Sequence, residues 1–162
     1  LAAIGTAAQF TYLDGSRPVL LALHQFPGLP PVSQSEKTAV TAAIPTDAAF
    51  LADPFDANYD ALHLVAERTL AASWKDVPIE GAALAEWIGR LETLGLVRRD
   101  GDSYPRTGIS YEELPLDQIV AAARQFGAAY LVTGPQYESR YSQSNLVQPA
   151  GGSGRYKVFR LR

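Results

Sequence analysis

The chain is 162 residues long, 47% hydrophobic and 19% charged, which suits one globular domain with a real core and excludes a disordered chain. Fourteen Lys and Arg against 17 Asp and Glu leave a net charge of −3 with no basic block, so capture of nucleic acid or of an anionic membrane by charge is excluded. With no cysteine and two histidines, His24 and His63, thiolate chemistry and multi-histidine metal sites drop out, and no metal or cofactor is expected.

Residues 1–32 read as an N-terminal arm or linker. Residues 10–13 and 19–23 suit short strands or helical turns, Asp14-Gly15 is a turn signal, and residues 26–31 form a Pro- and Gly-rich loop. The sequence has no methionine, so it is expected to begin at a processed or internal end and to be a piece of something longer. Its apolar runs near the start, residues 1–8 and 18–23, are far shorter than the roughly 18 residues a membrane span needs.

Residues 33–162 read as a single α/β domain. Ser33 and Glu36 fit a capping box opening a helix over 33–44 that Pro45 ends. Residues 48–52 follow as a strand. Asp56 is a natural N-cap for a helix to about residue 68, and 69–74 reads as a second strand. Leu84, Trp87, Ile88, Leu91 and Leu94 form one apolar helical stripe, which predicts a core position for Trp87. Glu86 and Arg90 pair on its outer side, and Gly95 stops it. Residues 98–110 are a polar surface loop. Pro115 opens another helix whose buried face is Leu116, Ile119, Val120 and Ala123.

Gly127 then admits residues 128–133, a short apolar run entered from a helix, the αβ half of a βαβ unit. This run is expected at the centre of a sheet, parallel to its neighbours. Residues 134–145 are a polar, tyrosine-bearing excursion. Residues 146–148 and 156–161 are expected to form an antiparallel hairpin joined by a flexible Gly-rich connection. The fold class is therefore α/β, a small two-layer or three-layer Rossmann-like domain with central parallel strands and a C-terminal antiparallel hairpin.

In open parallel sheets ligands bind beyond the carboxyl ends of the strands. Those ends offer Asp53 and Asp56, Lys75 and Asp76, and Thr133 and Tyr137. Two carboxylates beside a lysine suit a divalent metal with a phosphate, or an acid–base pair. Turn chemistry accounts for them more simply: Asp56 as an N-cap, Asp53 before a proline, Lys75-Asp76 as a solvated loop. Ligand-binding candidates are thus Asp53, Asp56, Lys75, Asp76 and Tyr137, with no catalytic residue assigned. Trp74, Trp87, Tyr137 and Tyr141 are candidates for an aromatic platform for sugars. No phosphate-binding glycine loop precedes a helix, and no serine has a nucleophile-elbow setting.

The order of short motifs carries a resemblance. A helix ending in Ile44-Pro45-Thr46-Asp47-Ala48-Ala49-Phe50-Leu51 leads to a strand ending Trp74-Lys75, then to Pro78, Trp87 and Arg90. Near the end come Gly127-Ala128-Ala129-Tyr130-Leu131-Val132 and a closing Tyr156-Lys157-Val158-Phe159-Arg160-Leu161. From about Thr38 to Arg162 the chain resembles the soluble C-terminal extracytoplasmic domain of multi-pass bacterial membrane proteins, some of them similar to C-type glycosyltransferases. The departures are Trp74 in place of the usual Phe and the tyrosine-bearing insertion at 134–145.

The resemblance implies a non-catalytic accessory domain in envelope glycan assembly or transfer. It implies membrane attachment outside the cytoplasm, periplasmic or extracellular. The partners it implies are the membrane-embedded remainder of the same chain and a glycan or lipid-linked sugar, with no nucleic acid. Lys75, Trp87 and Arg90 fall on the family's signature positions, with Trp87 expected to be structural and Lys75 to contact ligand. The alternatives are a free-standing α/β enzyme acting on a phosphorylated or sugar substrate through Asp53, Asp56, Lys75 and Asp76, and a protein-interaction module using the 134–145 segment.

Overall fold

A computed structural model of the chain describes residues 10–13, 17–20, 30–74, 78 and 81–162. Strands β1 (Phe10–Leu13) and β2 (Arg17–Leu20) pair antiparallel, which selects strands over helical turns for these residues. The expected turn at Asp14-Gly15 and most of the 26–31 loop lie outside the described residues.

The domain is a five-stranded sheet with helices on both faces. Its strands are β3 (Ala49–Leu51), β4 (Thr69–Leu70), β5 (Ala128–Thr133), β6 (Val147–Ser153) and β7 (Tyr156–Leu161), in the spatial order β4-β3-β5-β7-β6. β3 is parallel to β4 and to β5, and β7 is antiparallel to both β5 and β6. The central position expected for β5 holds. Its expected parallel pairing holds only toward β3, because the C-terminal hairpin docks on its other edge. The second strand is two residues long, where six were expected.

Side chains alternate across the sheet, as the pleat requires. Phe50, Tyr130, Val132, Tyr156 and Val158 face one side and join Val40, Ile44, Tyr59 and Leu62 in one core. These come from α1 (Gln34–Ala43) with its C-cap and from α2 (Ala57–Ala66). Leu51, Leu131, Phe159 and Val147 face the other side, beneath Ile119, Val120 and Ala123 of α4 (Leu116–Gln125). The arrangement is three-layered. No helix among the described residues is long and apolar enough to cross a membrane.

The helix ends follow their sequence signals. Ser33 and Glu36 form the capping box, and the Asp56 side chain accepts from Asn58 N. α3 (Gly81–Thr93) ends with Gly95 at φ +73°, its N–H reaching Glu92 O at 2.8 Å while Leu96 N–H reaches Leu91 O at 3.1 Å. That is a Schellman closure, which satisfies carbonyls the helix leaves open.

Three expectations are corrected. Trp87 is half-buried, not core: of the α3 stripe only Leu91, with Leu94 just beyond the helix, is buried, and the helix lies along the open edge by β4. The Gly-rich run is not a flexible connection. Gly151 and Gly152 belong to β6 beside a bulge, and the turn is only Gly154-Arg155. A side chain at Gly151 would meet Ala43 Cβ at 3.1 Å, so the bare backbone admits α1 close over this strand. Residues 134–145 are not an open excursion either. They form a 3-10 turn (Pro135–Tyr137) and α5 (Glu138–Ser142), and Tyr141 is fully buried against Phe159 at 5.2 Å.

Candidate functional site

The carboxyl ends of β3 and β5 lie side by side because the strands are parallel neighbours. β3 runs into Asp53-Pro54-Phe55-Asp56, and β5 ends in Thr133. Both expected aspartates are therefore at this edge. Asp53 Oδ1 accepts from Phe55 N–H at 2.9 Å, an Asx turn that reverses the chain after the strand. Asp56 Oδ1 accepts from Asn58 N–H at 2.9 Å and from its amide Nδ2 at 2.8 Å. Burial pushes the Asp53 carboxyl up, against its bond from the Phe55 amide. The neighbouring charge of Asp56 adds to the rise and Arg106 opposes it. Lys75 and Asp76 lie outside the described residues. Tyr137 is half-buried and packs on the core instead of standing free.

The structure adds groups that the sequence reading passed over. The expected 98–110 loop leads into a 3-10 turn (Tyr111–Glu113) that sends Tyr111 into the core, 2% exposed. Arg140 of α5 ties this turn down by donating to Glu112 O at 2.5 Å and to Leu114 O. Glu112 thereby stands beside the end of β5. Burial pushes its carboxyl up to about 7, the charge of Asp53 adds to this, and Arg140 and the Thr133 hydroxyl work against it. Burial likewise raises Tyr59, Tyr111 and Tyr141. The available signal was Ser110-x-x-Glu113, a capping-box spacing, with Tyr111 and Leu114 three apart on one side.

Next to this polar edge is an aromatic one. Phe55 and Trp74 have ring centroids 4.9 Å apart, and Trp74 and Trp87 are 5.4 Å apart. Trp74 N–H donates to Pro54 O at 2.7 Å, and Trp87 Nε1 donates to Ser73 O at 2.5 Å. The Arg106 guanidinium lies 3.8 Å over the Phe55 ring. Trp74 remains 38% exposed. Of the expected platform, Trp74 and Trp87 thus meet, with Phe55 as an unexpected third ring, whereas Tyr141 is committed to the core. Arg90 donates to Ala71 O at 2.5 Å and pairs with Glu86 at 2.5 Å. Shallow grooves of about 220 Å³ and about 290 Å³ flank it, the first lined by Ser73, Pro78 and Trp87, the second by Gly89, Thr93 and Phe126. Both are smaller than the roughly 300–1,000 Å³ of pockets that enclose a small molecule. Among the described residues no group of three or more His, Cys, Asp or Glu is placed to hold a metal ion.

Residues 39–94 match the family described as Domain of unknown function (DUF6798). The match covers about a third of the chain and runs from within α1 to the end of α3, so it includes Asp53, Asp56, Phe55 and the tryptophan pair but neither β5 nor the hairpin. No curated protein and no solved structure matches the chain.

Proposed function

We propose that this chain is a non-catalytic accessory domain of a multi-pass bacterial membrane protein. It lies outside the cytoplasm, and it holds a glycan or lipid-linked sugar during envelope glycan assembly or transfer. The observation that carries the binding role is the Phe55–Trp74–Trp87 edge. It presents a partly exposed indole beside carboxylates at the carboxyl end of a parallel sheet, where α/β domains take ligands. An aromatic face suits the C–H face of a sugar ring, and exposed aromatics mark contact surfaces. The order of short motifs along the chain supports the membrane setting. A non-catalytic role is supported by Asp53 and Asp56, whose carboxylates are engaged in a turn and a helix cap.

Both tryptophans of the chain belong to the aromatic edge, so intrinsic fluorescence reads the site directly. Titration with short neutral glycans and polyprenyl-linked sugar mimics is expected to change it. Trp74→Ala, at a position 38% exposed, is expected to stay folded and to weaken binding about tenfold or more, the effect of losing one stacked ring. Unchanged affinity in that variant would remove the aromatic edge as the site. For the membrane setting, the complete reading frame decides: membrane helices upstream of Leu1 are expected, and a start codon a few residues upstream would overturn the proposal.

A further inference from the structure

The two grooves beside Arg90 meet along α3. Glu86 and Arg90 line both of them. Trp87, which belongs to the aromatic edge, lines the first. Phe126, at the C-cap of α4, lines the second. α3 walls the pair from Ala83 to Thr93, about 15 Å at the helical rise, which is longer than a single sugar ring. The Arg90 guanidinium stands at the junction. It donates from Nη1 to Ala71 O and from Nη2 to Glu86 Oε1, and it lies 5.6 Å over the Phe126 ring. Those contacts fix its plane, and a guanidinium with five N–H groups keeps donors for a further acceptor.

Gly89 is an independent observation at the same place. Glycine inside a helix is costly relative to alanine, and a Cβ at Gly89 would meet nothing within 4 Å. Packing within the chain therefore gives no reason for a bare backbone there, whereas a guest lying in the second groove does. The lining decides its chemistry. Glu86 and Arg90 offset each other's charge, so the junction does not select an ion. Beside them the Thr93 hydroxyl donates to Gly89 O and still accepts, and Gln125 and the Phe126 ring complete the wall. Donors and acceptors next to a ring suit the hydroxyls and C–H face of a sugar, whereas an apolar peptide would leave the polar groups unpaired. We propose that the aromatic edge and the two grooves form one extended site for an uncharged oligosaccharide. One sugar lies at Trp87, the Glu86–Arg90 pair reads the hydroxyls of the next, and a further sugar lies over Gly89 against Phe126. The extension rests on the glycan-binding role proposed above.

The test is the dependence of affinity on ligand length. Tryptophan fluorescence titrations of the whole chain use linear uncharged glucose, mannose and N-acetylglucosamine oligomers, from monosaccharide to tetrasaccharide. Affinity is expected to rise about tenfold or more from the monosaccharide to the trisaccharide. Phe126→Leu keeps an apolar side chain on the core and removes the ring. Gly89→Leu puts a side chain into the second groove and improves the helix, so its Tm is expected to rise. Each variant is expected to flatten the rise of affinity with length. Equal affinity for every length in the unmodified chain, a readout that no variant's folding can disturb, overturns the extended site and leaves the aromatic edge standing. A rise with length that survives Gly89→Leu overturns it as well. Failure of every oligomer to bind the unmodified chain overturns both.

Discussion

Glu36 shows how far one side chain reaches. It closes the capping box of α1 and is 6% exposed. Its Oε1 also accepts from Arg155 Nε at 3.0 Å and from Arg155 N–H at 3.1 Å. The Arg155 side chain holds its carboxyl well below the usual carboxylate range, and the same guanidinium reaches Asn58 Oδ1 at 2.9 Å. The turn of the C-terminal hairpin is thereby fastened to the starts of α1 and α2. Arg155→Met strands the buried carboxylate and is expected to cost about 2 kcal/mol, less than a fully buried pair because Arg155 is half-exposed. A carboxyl depressed in the folded state stabilises above its unfolded value of 4.5, and that stabilisation is lost as pH falls below it. Denaturant titrations at neutral and acid pH are expected to show the difference between the two proteins shrinking on acidification.

Glu112 has the opposite sign. Its carboxyl is raised from 4.5 to about 7, so the fold favours the neutral form. That contribution is complete below 4.5 and declines as pH rises through about 7. Glu112→Gln keeps a neutral side chain of the same shape. It is expected to gain on the parent chain between pH 5 and pH 8, a range chosen to bracket the shift. Parallel pH profiles for the two proteins would show that the carboxyl does not titrate in this window. His63 Nδ1 lies against Arg68 O, just beyond the end of α2.

Local signals were legible where a few adjacent residues decide the outcome. The Ser33–Glu36 box, the Asp56 cap, the Gly95 closure and the buried face of α4 all stand where spacing puts them. The Glu86–Arg90 pair does too. The start of β6 was legible at residues 146–148, but its continuation was not, because a strand containing Pro149, Gly151 and Gly152 reads as a turn. Proline is tolerated there because β6 is an edge strand, and glycine because the backbone crowds. At Gly152, with φ +109°, a Cβ would meet Tyr156 O at 2.2 Å, whereas Gly101 at φ +59° faces open space. Gly101→Ala is expected to cost roughly 1–2 kcal/mol, from left-handed backbone strain alone. Gly152→Ala adds a clash with the neighbouring strand and is expected to cost clearly more. Thermal melts of the two variants separate the terms, and equal losses would mean that β6 shifts freely away from β7.

At the scale of the molecule, two apolar cores share one sheet. Leu131 and Val132 are adjacent in β5 yet face opposite cores, each 1% exposed or less. Leu131→Ala is expected to cost about 2–5 kcal/mol through loss of burial and the cavity left behind. Val132→Ala, with less volume removed, should cost somewhat less. Because the sheet is common to both layers, either variant is expected to lower a single transition seen alike by far-UV dichroism and by tryptophan fluorescence. Separate transitions in Val132→Ala would show that the α1–α2 layer unfolds by itself.

The sequence by itself determined helices α1 to α4, strands β3, β5 and β7, the α/β class, the hairpin and the placement of Asp53 and Asp56 at a strand end. Those outcomes depend on periodicity, caps and turn residues within a few positions of one another. Only the tertiary structure decided that α3 lies half-exposed along the sheet edge, that Tyr141 is core, and that Phe55 joins Trp74 and Trp87. It alone brought Tyr111 and Glu112 over the end of β5, through an arginine 28 residues away. Burial and charge at such a place are sums over residues distant in the chain. No local pattern encodes them, and the polar edge became visible only once the parallel pairing of β3 and β5 had set those residues side by side.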